Sequence, residues 1–248
     1  MSDDGRFIAE IKMPAEALEK AGVPARRYRV FPGIEDESPC RGEAPRRIIG
    51  AGNTVLELGH PSTPSICLCL ITRTNGLIGD NGVLVLGGEL HELAPGRHPF
   101  ALIVLAEVVE ADERSRRALS GKLSVCDRFQ GVTARAALDK MWLRVRQEAL
   151  DHGITLAAIG RRLVAEIFKD RHMFTKANVI LISSDANHIE MLRPTAERVA
   201  EEKRDRYRAE IREMGECTSG VDCNECPENQ VCRVLKDAVA ITRKKKRV

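Results

Sequence analysis

Aromatic residues are scarce in this chain: one Trp, two Tyr and six Phe, 4% of 248 residues. Broad platforms for stacking successive nucleic-acid bases are therefore not expected, and no nucleic-acid partner is predicted. Long apolar runs are also missing. The longest, "FALIVLAEVV" at 100–109, is too short to cross a bilayer as a helix. The opening "MSDDGRFIAE" is acidic and polar where a secretory leader would be basic and then apolar, so a cytoplasmic location and no membrane association are expected. No "HExxH", no phosphate-cradling glycine loop and no Ser-His-Asp order is present, which leaves the catalytic residues unassigned. The paired glycines of "LVLGGELHEL" lack a following helix of the right kind and read as a turn.

What is present describes an ordinary globular protein, 43% hydrophobic and 30% charged, with a net charge of only +3. That charge is uneven. Arg26, Arg27, Arg29, Arg41, Arg46 and Arg47 crowd the first fifth, and "RKKKRV" ends the sequence. Those arginines suit either a surface for an anionic ligand or acidic partner, or a solvated basic arm.

Three domains are predicted: an arm over 1–50, an α+β domain over 51–213 and a cysteine-rich segment over 214–248. In the arm, "MPAEALEKAG" suits one short helix ending at Gly22, and "FPGIEDESPCRGEAPRR" is loop. From 54 to 109, "TVLELG", "SICLCLITR", "GVLVLGG" and "FALIVLAEVV" are β-rich runs separated by turn signals. Cys67 and Cys69 read as small buried hydrophobes within one of these strands. After 110, "ADERSRRALSGKLSVCDRF" and "TARAALDK" have helical texture, and Cys126 is expected to face the core. "MWLRVR" reads as a strand, "TLAAIGRRLVAEIFKD" as a helix with one apolar stripe, and "ANVILISSD" as a strand. A long charged helix follows, which Pro194 breaks or restarts. The fold class is α+β in mixed layers: a strand-rich amino-terminal half, a helix/strand half, and a small metal-binding tail.

The densest chemistry is "CTSGVDCNECPENQVC", which places four of the eight cysteines within residues 217–232. The spacing Cys217-x5-Cys223-x2-Cys226-x5-Cys232 brings a Cys-x-x-Cys pair to one centre, with the outer thiols in loop reach. In a reducing compartment, clustered thiols bind metal more often than they form disulfides. Pro227 directly follows a cysteine, as it often does beside iron–sulfur clusters. A [4Fe–4S] cluster is the preferred reading, and tetrahedral zinc is the alternative that spacing leaves open.

The stretch from about 39 to 232 resembles the β subunit of carbon monoxide dehydrogenase/acetyl-CoA synthase, covering its middle domain and the start of its cluster region. "RGEAPRR" followed by "VLELGHPSTPSICLCLI" is similar to that family's Gly-Glu-Arg segment and the two strands after it. "GRHPFALIVLAEV" resembles a further strand, and "FTKANVILISSDANHIEML" a later one. "LDKMWLRVRQEALDHGITLAAIGRRLVAEI" resembles the family's Trp-x-Arg strand and the helix beyond, and "CNECPENQVC" echoes its cysteine region. The resemblance implies a cluster on Cys217, Cys223, Cys226 and Cys232. It also implies a coenzyme A contact at Trp142 and Arg144, where an indole could stack on adenine and a guanidinium grip phosphate; the plain reading is a half-buried Trp beside a salt-bridged Arg. His60 is read as structural. The family's distal nickel needs a Cys-Gly-Cys that this sequence does not contain. An electron-transfer or accessory subunit, partnered by redox or dehydrogenase-like proteins, is therefore expected. The alternatives are a metalloenzyme subunit acting on a CoA thioester or one-carbon unit, and a zinc-stabilised binding module.

Overall fold

The computed structural model describes residues 4–31, 54–137 and 139–214. It divides into two compact units, Met1–Glu197 and Arg198–Val248. The first unit contains two sheets and the helices packed on them, a mixed α/β architecture.

Nine strands form among the described residues: β1 (Ala25–Arg29), β2 (Thr54–Leu58), β3 (Ser65–Thr72), β4 (Gly82–Gly87), β5 (Gly96–His98), β6 (Phe100–Val108), β7 (Val132–Ala137), β8 (Lys140–Arg146) and β9 (Phe174–Ser183). The larger sheet has the order β1-β4-β9-β6-β3, and the smaller β5-β2-β8-β7. In the larger sheet the pairings alternate: antiparallel, parallel, antiparallel, parallel. Strands β3 and β6 and most of β9 are buried on both faces, which is why they read as near-continuous apolar runs. The smaller sheet is different. Strand β8 alternates half-buried Trp142, Arg144 and Arg146 with buried Met141, Leu143 and Val145.

Helix α1 (Gly5–Lys20) is longer than the short helix expected near 13–22, and it runs through Pro14. Proline favours a helix start because it lacks an N–H. Here Phe7, Ile8 and Ile11 ahead of it continue into Ala15 and Leu18 as one buried stripe, and that burial outweighs the missing hydrogen bond. Strand β1 then pairs with β4 from Ala25↔Leu86 to Arg29↔Gly82. Residues 5–29 thus build core structure where an arm was expected. Three of the arginines expected on that arm are ion-paired: Arg26 to Glu92, Arg27 to Glu19 and Arg29 to Asp80. Arg41, Arg46 and Arg47 lie outside the described residues.

The helical expectation for "TARAALDK" is corrected. Residues 132–137 are β7, drawn into the sheet by a full antiparallel register with β8. That pairing overrides the local helix preference of alanine. Helix α2 (Glu113–Lys122) starts at Asp112, whose side chain accepts from the Ser115 N–H. Helices α3 (Gln147–Asp151) and α4 (Leu156–Ile167) follow β8. Gly160 on α4 lets that helix approach the larger sheet, since a Cβ there would stand 2.6 Å from Val83 Cγ1. Glu89, 3% exposed, accepts from the Leu156 and Ala157 N–H groups at the start of α4, at 2.5 and 3.1 Å. After β9 come α5 (Ala186–Glu190) and α6 (Arg193–Met214), so Pro194 stands in the first turn of a new helix.

Strand β3 is an edge, yet all eight residues are buried. The smaller sheet closes it. Ser65 Oγ donates to the Met141 carbonyl at 2.7 Å and accepts from the Met141 N–H at 3.1 Å, and the Cys67 N–H donates to the Asp139 carbonyl at 2.6 Å. The two sheets are therefore stitched by paired polar groups as well as by apolar packing.

Cys67, Cys69 and Cys126 are buried thiols, as expected for all three. Burial, with smaller contributions from Cys69 and Asp127, pushes the Cys126 thiol up to about 12. Its folded value lies above the unfolded one. The associated stability is thus present below about pH 9 and is lost as the pH rises towards 12. Native protein alkylated near pH 8 should leave Cys126 unmodified, whereas denatured protein should be labelled there; labelling at equal rates in both would contradict this burial.

Candidate functional site

The outward face of the smaller sheet concentrates charge. The register places Glu57 on β2 between Arg97 on β5 and Arg144 on β8, and Arg144 faces Thr133 on β7. One carboxylate serves both arginines: Arg97 Nε is 3.2 Å from Oε2 and Arg144 Nε 3.2 Å from Oε1. Arg144 Nε is a charge contact more than an aligned hydrogen bond, because that buried atom meets no hydrogen-bond geometry. The Glu57 and Arg144 side chains are 17% and 18% exposed and Arg97 is 55%, so the Glu57–Arg144 half of the network is the sheltered one.

Trp142 is the next outward residue on β8. The Arg144 guanidinium carbon lies 5.2 Å from the indole centroid, within cation–π range. The His60 ring meets the indole edge-on, at 5.4 Å and 88°. His60 Nδ1 accepts from the Ser62 N–H at 3.0 Å, with Ser62 Oγ at 2.7 Å. A neutral ring held this way carries its proton on Nε2, the nitrogen 3.9 Å from Glu57 Oε2. His60 is thus tied into a turn, with its Nε2 towards the Glu57 carboxylate. Gly59 makes this close approach possible. Its φ is +69°, and a Cβ there would sit 2.1 Å from the Met141 carbonyl oxygen.

Trp142 and Arg144, the two residues singled out for coenzyme A, are therefore neighbours on one face. Arg144 is engaged by Glu57 and by the indole, as the plainer reading had it. The indole Nε1 is buried without an acceptor among the described residues. Two more arginines share the face: Arg135, exposed and directly opposite Trp142 in register, and Arg146, two residues beyond Arg144. Sequence reasoning passed over Glu57, Arg97, Arg135 and Arg146. Outward alternation in "TVLEL" and "RVR" marks Glu57 and Arg146, but only cross-strand register shows that they join Trp142.

The face brings an indole, a carboxylate and several guanidinium groups together on adjoining strands. No group of three or more His, Cys, Asp or Glu among the described residues could hold a metal. Cys217, Cys223, Cys226 and Cys232 lie outside the described residues. No helix of the described residues is long and apolar enough to cross a membrane.

Two stitched sheets, flanked by helices and carrying an arginine-rich, tryptophan-bearing outer face, define a mixed α/β scaffold. Its sequence is specific enough to place it further. Residues 46–189 match the family model of the CO dehydrogenase/acetyl-CoA synthase complex beta subunit, and the chain belongs to that family. It is similar to the acetyl-CoA decarbonylase/synthase complex subunit beta of Methanothermobacter thermautotrophicus, 24% identical over 196 residues, covering 78% of this chain and 42% of that protein. It is also similar to subunits beta 1 and beta 2 of the same complex from Methanocaldococcus jannaschii. These are 26% and 22% identical over 163 and 165 residues, covering 64% and 65% of this chain and 21% and 35% of those proteins. The chain thus spans less than half the length of these curated relatives.

Proposed function

We propose that the chain is an iron–sulfur subunit of an acetyl-CoA decarbonylase/synthase-like complex, acting in electron transfer or as an accessory to the partner that performs the carbon chemistry. The observation that supports this is the coincidence, in one chain, of the family match over 46–189 with the Cys217-x5-Cys223-x2-Cys226-x5-Cys232 spacing beyond it. Four thiolates are the donor set that a [4Fe–4S] cluster takes, and such a group, when bound, stores and passes one electron. In this reading Cys217, Cys223, Cys226 and Cys232 hold the cluster. Redox or dehydrogenase-like subunits are the proposed partners.

The outer face of the smaller sheet supports a second element of the same reading, a coenzyme A contact. There the Trp142 indole supplies the ring platform; Arg144, held by Glu57, lies over it, and the His60 ring meets its edge. A half-buried indole between a cation and an imidazole edge is a preorganised surface for a nucleotide base.

Protein purified without oxygen should carry about four irons with sulfide per chain, and Cys223→Ser should lose nearly all of it. Cys69→Ala, in the core of β3, should keep full iron content. One zinc and no colour would replace the cluster reading with a zinc-stabilised module. Stoichiometric nickel would favour an enzyme subunit acting on a CoA thioester or one-carbon unit.

A further inference from the structure

The larger sheet carries a cleft of its own, on the side covered by α1. Its cavity volume is about 380 Å³, within the range of roughly 300–1,000 Å³ usual for small-molecule sites. Its walls, α1 and β1, precede the residues that match the family model. The sheet register explains the opening. Gly160 of α4 meets Val83 and Leu181 on one side of the sheet, so the alternate residues Leu84 and Ile180, paired in register, face the α1 side. In the next row Arg29, Gly82, Asn178 and Leu105 lie across β1, β4, β9 and β6. Gly82 adds no side chain to that row, and a Cβ there would stand 2.6 Å from the Tyr28 carbonyl oxygen. The gap is therefore a property of the backbone. Over it, α1 lines the cleft with Lys12, Ala15, Glu16 and Glu19, spaced at three and four residues, and the short Ala15 leaves the space open.

The charges around this apolar floor are unequally committed. Arg27 is paired with Glu19 at 2.5 Å. Arg29 meets Asp80 at 3.5 Å, where both side chains are more than three-quarters exposed and water screens the pair. Lys12 is half-buried, and its Nζ donates to the Leu77 carbonyl, with no carboxylate in ion-pair range among the described residues. An ammonium carries three donors, so two remain for a ligand. Lys12 is also the most sheltered of the three cations, so an anion gains more beside it than at the exposed rim. The carboxylates of Glu16, Glu19 and Asp80 line the same cleft, and they disfavour a multiply charged anion such as phosphate.

We infer that this cleft binds a monocarboxylate with an apolar body, the carboxylate on Lys12 Nζ and the body over Leu84, Leu105 and Ile180. The site shares no residue with the cysteine segment or with the Trp142 face, so it stands or falls independently of both.

The test is calorimetric titration of the full chain with sodium octanoate, 1-octanol and octylamine. Octanoate should bind with a Kd of about 1 mM or below, the level reasonable for a ligand of about ten non-hydrogen atoms. It should bind more tightly than the alcohol or the amine. Lys12→Met keeps the apolar stem and should weaken octanoate by about tenfold or more while leaving octanol unchanged; a merely structural role would lower both. Gly79 is exposed, lines the cleft outside the left-handed region, and a Cβ there meets nothing within 4 Å. Gly79→Phe should therefore keep the wild-type melting temperature and weaken octanoate and octanol alike. Octanoate binding that depends on both positions supports the inference. No octanoate binding at about ten times the expected Kd overturns it, as does binding unaltered in both variants. Octylamine binding more tightly than octanoate overturns the carboxylate assignment and the inference with it.

Discussion

Replacing Asp4 with Ala should lower the unfolding free energy by about 3–5 kcal/mol. Asp4 is 3% exposed and pairs with Arg116 of α2, whose side chain is 11% exposed. The same carboxylate oxygen accepts from the Ile71 N–H at 3.1 Å, and the Asp4 N–H donates to the Ile71 carbonyl at 3.1 Å. One residue therefore ties the start of α1 to the end of β3 and to α2. Removing it leaves a guanidinium that burial has largely cut off from water, and a strand N–H that loses its acceptor. Domains of this kind are stable by about 5–15 kcal/mol in total, so the change takes a large share of the margin. Urea unfolding followed by circular dichroism measures it, and a loss under about 1 kcal/mol would show that water reaches the pair. Arg117→Ala is the matched control, because the Arg117–Glu113 pair is 67% and 39% exposed and should change stability by less than about 1 kcal/mol.

Gly59→Ala should be comparably severe, for a different reason. A left-handed conformation costs a non-glycine residue about 1–2 kcal/mol. Gly153→Ala, with φ +72° and nothing within 4 Å of the added carbon, should show that cost and little more. At Gly59, with φ +69°, the added carbon would lie 2.1 Å from the Met141 carbonyl oxygen and 2.7 Å from Ser65 Oγ. Neither neighbour is free to move. The carbonyl is backbone in β8, and the hydroxyl is bonded to Met141 on both sides. We expect a loss of more than about 3 kcal/mol, together with an altered tryptophan spectrum as His60 and the indole lose register. If Gly59→Ala and Gly153→Ala cost the same, the close approach of β2 to β8 is wrong.

Much of the fold was legible because its signals are local. The apolar runs that became β3, β4, β6 and β9 are bounded by turn residues, and the three- and four-residue spacing of Leu156, Ile159, Leu163 and Ile167 marks α4. The misses follow from forces that act at a distance. Ala134 and Ala136 prefer helix in isolation, but pairing with Leu143 and Met141 holds them in β7. Pro14 looked like a helix start because the buried stripe ahead of it is visible only once α1 docks. At the site, the pattern Trp-x-Arg was readable. The carboxylate that organises it was not, since Glu57 lies 85 residues from Trp142 in sequence and joins it through the β2–β8 register.

The strand order also bears on how the chain is made. Strand β9, residues 174–183, lies between β4 and β6 in the larger sheet, although both are synthesised long before it. At about 5–20 residues per second, β4 and β6 leave the ribosome several seconds ahead of the strand that separates them. During that interval each exposes an apolar edge whose native partner does not yet exist. Productive folding of the larger sheet must wait for residue 183 to emerge.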